Sequence, residues 1–143
     1  MKAEELMIGD WIYNTHNRQN EQVAEIGSGL VMLAYNDLYE YDEIEPIPLT
    51  SEILEANGWE KVPQPGYANP YHWELSKYED DKEDDAYLLY RVKAYETFFR
   101  GMLISISRPS CEDISFRKQV EHMHELQHAL RLCDIEKEII IKN

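Results

Sequence analysis

The chain has 143 residues, 28 acidic against 14 basic, for a net charge of −14 with histidine neutral, and 43% of it is hydrophobic. That length allows one compact domain or two very small ones tightly joined, and the apolar share can furnish a core. Such acidity argues against direct binding to nucleic-acid phosphate, which draws on clustered Lys and Arg, and no apolar run reaches the roughly eighteen residues of a membrane span.

The opening Met1-Lys2-Ala3-Glu4-Glu5 lacks the apolar segment of a signal peptide, so a cytoplasmic location is expected. Two cysteines without a C-x-x-C pair indicate neither a disulfide framework nor a zinc ribbon. The negative charge is concentrated early, with 10 acids and 2 bases in residues 1–50 against 7 and 6 in residues 101–143. Basic protein surfaces are therefore the natural partners of the first part of the chain, the plainer alternative being that acidity only keeps the protein soluble.

Residues 1–49 read as short strands: Met7 to Tyr13, Gln22 to Ile26, Leu30 to Tyr35 after Gly27-Ser28-Gly29, and Leu38 to Ile44 after the turn signal Asn36-Asp37. Closed by Pro46 and Pro48, the segment suggests a small SH3-like β-barrel. Within it Asp37, Tyr39, Glu40, Tyr41, Asp42 and Glu43, with Tyr35 and Glu45 nearby, form a candidate binding patch. Tyrosine supplies contact area at low entropy cost and carboxylates supply steering; the alternative is that Tyr35 and another of these tyrosines fill the barrel core.

Residues 50–143 read as α-β-β-β-α-β. Thr50 is the expected N-cap of a helix that Gly58 stops, and Val62 to Tyr67 reads as a loop. Three alternating strands follow, carrying Tyr71-Trp73-Leu75, Leu88-Tyr90-Val92-Ala94 and Met102-Ile104-Ile106, as in an antiparallel meander with one buried face. A helix from about Phe116 to Cys133 is expected to cover that face, and Lys137 to Lys142 to return as a final strand. The acidic run Glu79 to Asp85 lacks the order of a calcium loop and reads as a solvated hairpin tip. Cys111, with no nameable base, is a weak candidate nucleophile.

One catalytic motif is present. His124-Glu125-Leu126-Gln127-His128 matches H-E-x-x-H, in which two histidines a helical turn apart bind zinc and the glutamate serves as base. A third ligand is hard to find: the metzincin histidine position is Asp134, and no later helix remains to bring a glutamate. At 100° per residue Met123, Leu126, Leu130 and Cys133 form the core stripe, which predicts His124, Glu125 and His128 on the solvated side, with His122 near the stripe's edge.

The segments Glu5 to Asn14, Ile47 to Leu54 with Asn57 to Lys61, and Val120 to Leu130 resemble a family of small uncharacterised proteins of gut anaerobic bacteria and their phages or mobile elements. The resemblance implies a mobile-element context and no catalytic residues. Taken together, these features predict an α+β, non-enzymatic protein that binds a partner with a basic surface and needs no cofactor, with no contact to nucleic acid or membrane. Two alternatives stand beside it: a minimal zinc hydrolase with ligands His124 and His128 and base Glu125, and a structural accessory protein of a phage particle or replication complex.

Overall fold

A computed structural model describes residues 1–35, 37–79, 88–98, 100–109 and 114–143. Asn36, most of the acidic run and Cys111 lie outside the described residues. The fold is α+β and consists mostly of two antiparallel five-stranded sheets.

The first sheet contains β1 (Trp11–Asn14), β2 (Gln19–Ile26), β3 (Leu30–Leu33), β4 (Leu38–Glu40) and β5 (Ile44–Pro46) in the order β4-β3-β2-β1-β5. The expected fourth strand is split, because a 3-10 turn at Tyr41–Glu43 turns the chain so that β5 pairs with β1. This sheet is open, with β4 and β5 at its edges. Alternation places Ile12, Val23, Val31, Leu33, Tyr39 and Ile44 in a small core. The opposite side of β1 points elsewhere: Trp11 and Tyr13 pack against the core of the second sheet.

That second sheet runs β10-β9-β8-β7-β6, each strand beside its sequence neighbour. It comprises β6 (Glu60–Pro63), β7 (Tyr71–Tyr78), β8 (Leu88–Glu96), β9 (Met102–Arg108) and β10 (Ile114–Val120), with helix α1 (Ser51–Ala56) before it and α2 (Met123–Leu132) after it. Trp73, Val92, Ala94, Ile104 and Ile106 form the floor of the larger core, covered by Leu54 of α1 and by Met123, Leu126 and Leu130 of α2. As expected, the Thr50 side chain caps α1 by accepting from the Ile53 N–H at 3.3 Å, and Gly58 follows the helix at φ +93°.

Three expectations are corrected. Residues 116–120 belong to strand β10 and not to the start of the last helix, because the segment pairs with β9 from Ile114 opposite Arg108 to Val120 opposite Met102, with Phe116 and Val120 toward the core. Gly101, at φ +83°, makes room for it: a Cβ there would collide with the Val120 carbonyl oxygen. Val62 and Pro63, expected to open a loop, instead end edge strand β6, which accommodates Pro63 because an edge position needs no ladder N–H. Residues 137–142 form no strand. Ile139 and Ile141 are buried in alternation, yet the Ile140 backbone is satisfied by one side chain, with Asn57 donating to its carbonyl at 3.0 Å and accepting from its N–H at 2.8 Å.

Candidate functional site

The histidine helix is a further correction to the sequence-based expectation. His124 is only 6% exposed and Gln127 7%, so this part of the helix is covered, while Glu125 and His128 are half-buried. Helical phase placed the core stripe correctly, since Met123 and Leu126 are fully buried and Leu130 nearly so. It could not reveal that the first sheet covers the other side of the same helix. Gln127 pairs with that side twice, accepting from the Trp11 N–H at 2.9 Å and donating to the Gly9 carbonyl at 3.0 Å.

Beside it lies Asp10, completely buried. One carboxylate oxygen accepts from the Met7 N–H at 2.7 Å and faces His128 Nε2 at 2.6 Å, while the other accepts from Arg131 at 3.0 Å. A buried carboxylate is tolerated when its lone pairs are filled in this way. Glu125 is also committed, accepting from the His122 N–H at 3.1 Å and from His122 Nδ1 at 2.8 Å across the first turn of the helix. His124 sits between the other two rings, at centroid distances of 5.7 Å from His122 and 5.6 Å from His128. Its Nδ1 is buried without a hydrogen-bond partner among the described residues, and burial pushes its pKa down. Among the described residues, no three His, Cys, Asp or Glu side chains are arranged as they stand to hold a metal ion.

The candidate acidic patch divides. Tyr39 is core, its hydroxyl accepting from Asn17 Nδ2 at 2.8 Å. Tyr41 is half-buried and donates to the Gly27 carbonyl at 2.5 Å, and Glu43 accepts from the Glu40 N–H at 2.9 Å. These three side chains are thus each engaged in the first sheet, Tyr39 with Asn17, Tyr41 with the Gly27 turn and Glu43 within its own 3-10 turn. Asp37, Glu40 and Asp42 are exposed, as is Tyr35 at 75%.

A neighbouring surface was missed by the sequence reading. On the outer face of the first sheet Leu30 is 42% exposed and Leu38 57%, with half-buried Met32 directly opposite Leu38 across the β3-β4 pair. With Ile26, Glu25 and the Gly27–Gly29 turn they line a shallow cavity of about 460 Å³. The signal was available: Leu30-Val31-Met32-Leu33 is an unbroken apolar run, the pattern of a strand covered on both faces, whereas only Val31 and Leu33 are fully buried here.

Comparison with protein-family models, with curated proteins and with solved structures gave no match.

Proposed function

We propose that this is a non-enzymatic interaction protein whose first sheet docks a basic, amphipathic segment of a partner protein. The observation that carries the proposal is the apolar face of exposed Leu30 and Leu38 and half-buried Met32, with Glu25 opposite Met32 and Glu40 opposite Leu30, and exposed Tyr35 and Asp37 in the connection between β3 and β4. An apolar patch bordered by like charges favours a partner that offers apolar anchors flanked by Lys or Arg. Strand β4 has a neighbour on one side only, so an extended segment can add to its free edge while its side chains reach the patch. The proposal moves the recognition surface from Tyr39, which is core, and Tyr41, which is bonded to the Gly27 carbonyl, to the outer face of β3 and β4.

The SH3-like description of residues 1–49 belongs to the same proposal and rests on the strand order and on the 3-10 turn before β5. A phage or mobile-element setting is likewise proposed, from the resemblance, and a cytoplasmic location goes with that setting. The hydrolase alternative is disfavoured by Glu125: its carboxylate is engaged by its own helix N-terminus and by His122, where a base would have to face a bound water.

The test is fluorescence anisotropy with a labelled peptide alternating lysine and valine. Leu38→Asp separates docking from bulk attraction, because it adds negative charge while removing an apolar anchor. Docking predicts weaker binding to Leu38→Asp, and binding that is unchanged or stronger contradicts it.

A further inference from the structure

The three histidines of α2 carry an inference independent of the docking proposal. When Glu125 accepts the Nδ1–H of His122, the lone pair of that ring lies on Nε2; when Asp10 accepts the Nε2–H of His128, the lone pair lies on Nδ1. A carboxylate holding one imidazole nitrogen and leaving the other as a donor is the arrangement that orients histidine toward a metal. Here it occurs twice, on either side of a third histidine. That third ring, His124, is 6% exposed, and its Nδ1 has no hydrogen-bond partner among the described residues.

Spacing agrees with the donor chemistry. Two imidazoles bound to one tetrahedral zinc through bonds of about 2.0–2.1 Å have ring centroids roughly 5 to 5.5 Å apart, close to the 5.6 and 5.7 Å found here. All three rings line one cavity of about 420 Å³, whose other wall includes Glu4 and Glu5. Coordination requires His122, whose ring is stacked on His124 at 12°, and His128 to swing toward the cavity about the nitrogens that Glu125 and Asp10 hold, and the 31% and 29% exposure of their side chains leaves space on that side.

We propose that this cavity binds one divalent transition-metal ion, zinc by its nitrogen-rich donor set, through His122, His124 and His128. Asp10 and Glu125 act as positioning residues, and a carboxylate of the Ala3–Glu5 turn closes the site. The ion would clamp α2 to the N-terminal turn. This differs from the peptidase arrangement, since Glu125 orients a ligand and activates no water.

The experiment uses the full chain without a metal-affinity tag, titrated with zinc chloride by calorimetry and with cobalt chloride by visible absorption. One ion per chain is expected, with the intense visible bands of tetrahedral cobalt. His122→Gln and His128→Gln should each weaken zinc binding at least about tenfold, and Glu125→Gln by about 10–100-fold, as second-sphere changes do. His72→Gln, on the second sheet, should leave it unchanged. Absence of saturable zinc binding, an octahedral cobalt spectrum, or equal loss in His72→Gln would overturn the proposal. The cobalt spectrum of the unaltered chain decides the matter even if a variant fails to fold.

Discussion

Asp10 and His128, 118 positions apart in the chain, face each other at 2.6 Å, with the carboxylate fully buried. This contact joins the loop that enters β1 to helix α2 and so helps to fasten the two sheets into one body. Replacing Asp10 by Ala removes the acceptor of three contacts at once, leaving the Met7 N–H and the His128 and Arg131 side chains without it. Urea unfolding should show a loss of about 3 kcal/mol. A change below about 0.5 kcal/mol would mean that the two sheets hold together without it.

The helix phase gives a paired prediction. Leu130 is 2% exposed and Leu132 74%, so Leu130→Ala should cost about 2–5 kcal/mol, as large-to-small core changes do, and Leu132→Ala within about 0.5 kcal/mol. Denaturant melts that rank them in the opposite order would contradict the orientation of α2.

Burial lowers the pKa of His124, which fixes the sign of a pH effect. Below its ordinary value of about 6.5 the unfolded chain takes up a proton that the folded chain resists. The stability contributed by the neutral ring is therefore present above that pH and is lost as pH falls from it toward the lower folded value. Comparing urea midpoints from pH 7.5 to pH 5, His124→Gln should lose less stability on acidification than the parent chain. Parallel curves for the two proteins would contradict this account of the buried ring.

Asn57 predicts the behaviour of the C-terminal segment. Its side chain makes both hydrogen bonds to Ile140 and a third to the Ile53 carbonyl at 2.9 Å. Asn57→Ala should cost about 1–3 kcal/mol and speed amide exchange at Ile140 more than in β8 or β9. Unchanged exchange at Ile140 would mean that the burial of Ile139 and Ile141 alone holds the segment.

Alternation made β7, β8 and β9 legible in the sequence, since Trp73, Val92, Ala94, Ile104 and Ile106 fall on one face. The cap and stop of α1 were legible because Thr50 and Gly58 act locally. Strand β10 was not, because Phe116 and Val120 also fit a helical spacing and the residue that admits this strand, Gly101, lies in a distant turn. The burial of His124 and Gln127 was hidden for a related reason: phase within one helix identifies the side that meets its own sheet, whereas Gly9, Asp10 and Trp11 arrive from the other end of the chain. In the candidate patch, composition alone could not separate tyrosines engaged within the first sheet from the apolar side chains that face outward.

The central claim is that the outer face of β3 and β4 is the docking surface, and mapping amide chemical shifts during titration with the lysine-valine peptide tests it most directly. The account predicts saturable shifts confined to residues 25–42, led by Leu30, Met32, Leu38 and Glu40 and persisting at moderate salt. Shifts spread over acidic positions throughout the chain and abolished by salt would contradict it, leaving only the general attraction of a chain with net charge −14 for a cation.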